Sequence, residues 1–231
     1  MNVLIVVAHP DDEVLGCGAT GAALAAAGHS VRACFLSSHA EARGGRPVGD
    51  ELASDMRTAQ AQLGFGGPFL GEFPNIRMNT VPHIELVRFI ETALEASGAQ
   101  VVFTHHPADL NDDHVQTARA CMAASRLFQR RNDIAPLRRL YFMEISSSTD
   151  WSFPAAGSQF APDTFVATGN WLDRKLAALR AYRGVMRPYP HPRSEEAVRA
   201  LAVQRGSQAG LAGAEAFQTA FAAAATAGEL F

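Results

Sequence analysis

The chain has 231 residues, 48% hydrophobic and 19% charged, an ordinary globular composition with enough length for one substantial core. Its formal net charge of −3 gives no global positive field to attract nucleic acid, although local arginine clusters can still hold a small anion. No stretch approaches the roughly 18 apolar residues of a membrane span, and Val3–Ala8 is too short for a signal peptide and runs straight into charge.

In chain order, Asn2–Ala8 is a continuous apolar, β-branched run, the pattern of a strand buried on both faces. Val14–Ala27 has small apolar residues at helical spacing and stops at Gly28. Val31–Ser37 reads as a second strand, and residues 38–48, with their glycines, arginines and proline, as a loop. A helix over Asp50–Leu63 stops at Gly64, a weak third strand covers Pro68–Phe73, and a helix over Pro82–Ala96 stops at Gly98. Gln100–His105 is a strong strand, Asn111–Arg131 a long helix and Arg139–Ile145 a further strand. Residues 146–164 form a loop with Trp151, Phe153 and Phe160, a candidate substrate lid. A short strand near Phe165–Ala167 and a helix over Trp171–Tyr182 follow. Ser194 is placed to cap a helix with Glu195 and Glu196 in its first turn, and an Ala-rich helix is expected over Ala214–Thr226.

Strand–helix alternation with apolar strands predicts an α/β fold: a single Rossmann-like domain over residues 1–231, with a mostly parallel central sheet and helices on both faces. With the common strand order 3-2-1-4-5, strands one and four meet where the winding reverses, and ligands bind beyond the carboxyl ends there. Three widely spaced cysteines (Cys17, Cys34, Cys121) make no disulfide framework, which fits a cytoplasmic protein.

Both expected carboxyl ends carry charged motifs. Residues 8–13 read Ala-His-Pro-Asp-Asp-Glu, and 105–114 read His-His-Pro-Ala-Asp-Leu-Asn-Asp-Asp-His. His9, Asp12 and His114 supply two imidazoles and one carboxylate, which leaves an open fourth position on a zinc ion, one per chain. A divalent metal beside a free carboxylate is the minimal arrangement for hydrolysis at neutral pH. Adjacent side chains cannot easily face the same way, so Asp12 is assigned to the metal and Asp11 to general base catalysis. Glu13 and Asp113 are expected to support the ligands from behind, with Asp113 orienting its neighbour His114; Asp109 is a further candidate.

On these motifs the chain resembles the PIG-L/LmbE-like deacetylases, zinc-dependent enzymes that remove N-acyl groups, commonly from N-acetylglucosaminyl compounds. His-Pro-Arg-Ser at 191–194, Arg205-Gly206 and Ala-Glu-Ala-Phe at 214–217 support the resemblance. It implies zinc on His9, Asp12 and His114, with Asp11 as base, an N-acylated small-molecule substrate of amino-sugar type, and a leaning towards homo-oligomers. Where many members have a histidine, this chain has Asn111. Asparagine donates a hydrogen bond but carries no proton, so His191, or else His105 or His106, is the candidate for the missing cation. Asn111 equally suits a helix cap.

Arg43, Arg46 and Arg57, on or after the second loop, and Arg193 are candidates to grip a carboxylate or phosphate on the substrate. Gly16-Cys17-Gly18-Ala19-Thr20-Gly21 matches G-x-G-x-x-G, but it falls inside the helix, so it reads as helix–sheet packing rather than a dinucleotide site. Two other readings of the metal triad remain: a non-haem Fe(II) centre, and a metal-containing binding protein without turnover.

Overall fold

The computed structural model describes residues 1–40, 44, 46–153, 159–224 and 226. Strand β1 (Asn2–Val7) sends Val3, Ile5 and Val7 into one hydrophobic core and Leu4 and Val6 into another. Because successive side chains point to opposite faces, an unbroken apolar run is what a strand between two helical layers requires. Each fully buried Val, Leu or Ile contributes about 1.5–3 kcal/mol of transfer free energy.

The chain continues through α1 (Asp12–Ala26), β2 (Ser30–Phe35), α2 (Asp50–Leu63), β3 (Phe69–Leu70), α3 (His83–Ser97) and β4 (Val101–His105). Then come α4 (Asp112–Ala124), α5 (Leu127–Arg130), β5 (Arg139–Met143), β6 (Thr164–Ala167), α6 (Trp171–Ala181), α7 (Glu195–Gln208) and β7 (Ala214–Ala222). The sheet order is β3-β2-β1-β4-β5-β7-β6. Pairs from β3 to β5 are parallel; β7 runs antiparallel to both β5 and β6. Helices α1, α2, α6 and α7 contribute to the core on one face, and α3 and α4 to the core on the other. The expected single α/β architecture and its 3-2-1-4-5 order are therefore present, with β7 and β6 added at the β5 edge.

Helix ends follow local chemistry. Gly64 (φ 73°) and Gly98 (φ 59°) close α2 and α3 in the left-handed conformation that glycine adopts freely. The Ser194 side chain accepts from Ala197 N–H at 3.1 Å and caps α7. Within α1, an added Cβ at Gly16 would lie 2.8 Å from Met143 Sδ, so the glycines admit close packing and build no nucleotide loop.

Two expectations need correction. Ala214–Ala222 is a strand, not a helix: its pairing with β5 and β6 outweighs the helical preference of alanine. The long helix over 111–131 breaks after Ala124, where the Arg126 N–H turns to Ala123 O, three residues back.

Candidate active site

β1 and β4 lie side by side, and the two charged motifs leave from their carboxyl ends. Asp11 precedes α1 with φ 110°, a left-handed backbone rare for a non-glycine residue. This turn separates two neighbouring carboxylates. Asp12 Oδ2 accepts from His9 N–H at 3.0 Å, while Asp11 Oδ2 faces Arg46 at 2.7 Å and Arg193 at 3.4 Å. Glu13, fully buried, accepts from Asp11 N–H (3.1 Å), Gln60 Nε2 (2.8 Å) and the Tyr182 hydroxyl (2.7 Å). It fixes the backbone of Asp11, while burial pushes its carboxyl up to about 8 despite those bonds.

One donor atom each from His9, Asp12 and His114 lie within 4.8 Å of one another, and all three residues are buried. His9 Nδ1, Asp12 Oδ1 and His114 Nε2 have no hydrogen-bond partner among the described residues. Both imidazoles are charge neighbours of Asp12 Oδ2 at 3.3 Å, but without hydrogen-bond geometry. Their opposite nitrogens are engaged: His9 Nε2 with Asp113 Oδ2 at 2.9 Å, His114 Nδ1 with Asp109 Oδ1 at 3.2 Å. Two orphaned imidazole nitrogens that both approach the Asp12 carboxylate, each ring held from behind by a further carboxylate, form with Asp12 a set that fits a divalent metal.

Asp113 thus serves His9 and not its sequence neighbour His114. It also accepts from Ile76 N–H at 2.6 Å and Met78 N–H at 2.9 Å. Asp109 takes the place behind His114, held in turn by the Ser148 hydroxyl and by Thr149 Oγ1 at 2.6 Å. Burial opposes the charge on His114, but the Asp12 carboxylate and the bond to Asp109 outweigh it and hold the imidazole up at about 10. Burial, aided by His114, drives His105 down to about 3. His105 stacks on His114 at 3.9 Å, and its Nε2 accepts from Ala8 N–H at 2.8 Å. It is neutral packing, not a cation. His106 packs edge-on against Phe142 and Phe160.

A cleft of about 310 Å³ is lined by Arg46, Asn111, Ser148, Arg187, His191 and Arg193 among others, and Arg46 and Arg193 connect it to Asp11. Asn111 caps α4, its Oδ1 accepting from Asp113 N–H at 3.0 Å. Burial, followed by Arg193 and Arg187, lowers the pKa of His191, whose Nδ1 accepts from Arg193 N–H at 3.0 Å. Arg193 also donates from Nε to Ser147 Oγ at 2.8 Å. Arg57 is not brought here: it is exposed on α2 and lines a separate depression with Phe65 and Leu70. Arg43 lies outside the described residues, as do 154–158 of the expected lid, while Ser148 and Thr149 of that loop are part of the site wall. Sequence reasoning missed Gln60, Tyr182 and Arg187, none of which stands in a motif.

Residues 4–125, which hold both motifs, match the PIG-L family model, described as GlcNAc-PI de-N-acetylase. The chain belongs to the PIG-L family. No curated protein matches it. Among solved structures it is similar to the conserved protein TT1542 from Thermus thermophilus, at 29% identity over 98% of this chain and 97% of that one (TM-score 0.77). The N,N'-diacetylchitobiose deacetylase from Pyrococcus horikoshii shares the fold at 17% identity over 94% and 82% of the two chains (TM-score 0.73). So does the 4-carboxy-2-hydroxymuconate hydratase from Pseudomonas putida, at 22% identity over 98% and 99% (TM-score 0.77). His191 and Arg193 lie beyond the segment matched to the PIG-L family and join its motifs only through the fold. Among the described residues no helix is long and apolar enough to cross a membrane.

Proposed function

We propose that this PIG-L family member is a zinc-dependent hydrolase that removes an N-acyl group, in the first instance N-acetyl, from an amino-sugar-like small molecule. The observation that carries this reading is the trio of unpartnered donors on His9, Asp12 and His114 beside a second buried carboxylate. A divalent ion on those three residues supplies Lewis acidity and acidifies water. His9 offers Nδ1 and His114 offers Nε2, since Asp113 and Asp109 occupy the opposite nitrogens.

Asp11 is the general base. Its Oδ2 is occupied by Arg46 and Arg193, while its buried Oδ1 has no partner among the described residues and is free to take a proton. The same oxygen then returns that proton to the departing amine. With Oδ1 spent on the helix cap, Asn111 keeps its Nδ2 donors for the acyl oxygen as negative charge develops there. His191 retains Nε2 on the cleft wall as a second proton carrier. A cytoplasmic setting is supported by three buried, unpaired thiols.

The test pairs elemental analysis with amine release from N-acetylglucosamine conjugates, for wild type and Asp11→Asn. We expect near one zinc per chain in both proteins and at least a ~100-fold fall in kcat for the variant. A variant that keeps full turnover would remove Asp11 from the mechanism. Iron in place of zinc, with no amine release, would favour the Fe(II) reading.

A further inference from the structure

We infer that Tyr182 is a positioning residue for Asp11, acting through Glu13 from behind the site. Its effect on turnover rests on the hydrolase reading; its hold on Asp11 does not.

The backbone of Asp11 has to be held. Its φ of 110° is a conformation that a non-glycine residue keeps only where the surroundings over-determine it. Its N–H donates to Glu13 Oε2 at 3.1 Å. Glu13 is fully buried, so its orientation is set by its own donors. The other oxygen, Oε1, receives Gln60 Nε2 at 2.8 Å and the Tyr182 hydroxyl at 2.7 Å. Two donors on one oxygen fix the carboxylate plane, and with it the place where Oε2 meets Asp11. Without the hydroxyl, one of those two bonds is lost in a buried place.

Both donors are referenced to one helix. Gln60 belongs to α2. Tyr182 directly follows α6, and the next residue is clamped to α2. Arg183 N–H donates to Asp55 Oδ2 and its Nε to Asp55 Oδ1, both at 3.0 Å, and its guanidinium reaches Glu51 Oε1 at 3.1 Å. The Tyr182 ring shares a core with Val14, Leu52 and Met56. A core tyrosine needs only some acceptor for its hydroxyl. This one meets the carboxylate that holds Asp11. The chain then enters the cleft wall: Val185 N–H donates to Tyr182 O at 3.2 Å, and Gly184 and Val185 line the cleft. Tyr182 itself is buried and bonds Glu13, so its route to Asp11 runs through that carboxylate.

The experiment measures amide hydrogen exchange by NMR in the zinc-loaded protein. Wild type is compared with Tyr182→Phe, with Gln60→Leu as the variant that removes the other donor, and with Tyr141→Phe as a hydroxyl removed elsewhere. We expect Tyr182→Phe and Gln60→Leu each to speed exchange at Asp11 about tenfold and to leave the β1 and β4 amides unchanged. Tyr141→Phe is expected to leave Asp11 as it is. Unchanged exchange at Asp11 would overturn the proposal whatever the turnover. So would an equal acceleration at Asp11 and in the strands, which marks a merely structural role.

A second readout follows amine release from N-acetylglucosamine conjugates. Tyr182→Phe should lower kcat about tenfold, with KM and zinc content unchanged. In an Asp11→Asn background the same substitution should cause no further fall. A full additional fall there would show that Tyr182 does not act through Asp11, and would leave the hydrolase reading standing. Local acceleration at Asp11, with no amine release by the wild type, would retain the positioning role and sink the hydrolase reading.

Discussion

Backbone strain is gathered at single residues around the site. Asp11 (φ 110°), Ile76 (φ 58°) and Ser147 (φ 68°) are the non-glycine residues with positive φ among those described. Each costs of order 1–3 kcal/mol and persists only where its surroundings over-determine it. Ile76 directs its N–H at Asp113, and Ser147 receives Arg193. His114 shows a further single-residue effect. Burial opposes its charge, yet Asp12 and Asp109 hold it up at about 10, against an ordinary 6.5. That raised value stabilises the metal-free fold fully below about 6.5, and the contribution is lost as pH rises through about 10. A metal bound at His114 would displace that proton, so its affinity would weaken as pH falls. Zinc added at pH 7.5 is expected to release about one proton per ion, measured by calorimetry in two buffers of different ionisation enthalpy. A release near zero would mean that His114 is already neutral at that pH, against the raised value.

At the scale of elements, α1 is broken at Cys17 (φ −147°), and β7 and α6 repair it. The Leu15 carbonyl accepts from Lys175 Nζ at 2.7 Å. The Ala19 and Thr20 N–H groups turn to Glu215, at 3.0 and 2.7 Å, and Lys175 closes the pair with Glu215 at 2.7 Å. A buried ion pair thus substitutes for helical hydrogen bonds in the element that begins with Asp12. Glu215→Ala would strand two N–H groups and a buried ammonium, so a loss of about 3–5 kcal/mol is expected in urea unfolding. A loss below about 1 kcal/mol would mean that water replaces the carboxylate. Sequence reading could not see this device. Its partners lie far apart along the chain, and an Ala-rich run around Glu215 reads as a helix until β5 and β6 are there to pair with it.

Over the whole molecule, the fold brings two chain segments about a hundred residues apart onto one point, and a bound ion would cross-link them. A ligand that binds only the native state at 100 times its Kd adds about 2.7 kcal/mol. For a domain of this size, stripping the metal with a chelator should lower Tm by about 5–10 °C, and zinc should restore it. Asp12→Ala should be insensitive to both treatments. An unchanged wild-type Tm would separate the site from the stability of the fold.

The sequence by itself determined the strand periodicity, the glycine stops of α2 and α3, and the pair of motifs at the ends of β1 and β4. These are local properties: side-chain alternation, left-handed caps, and ligand types packed into a few residues. Only the tertiary structure decided which carboxylate serves which histidine, with Asp113 behind His9 and Asp109 behind His114. It alone sent Arg57 elsewhere, brought Arg187 to the cleft and set Tyr182 and Gln60 against Glu13. Those outcomes depend on how distant elements pack and on what each buried polar group must find as a partner, which no single stretch of sequence specifies.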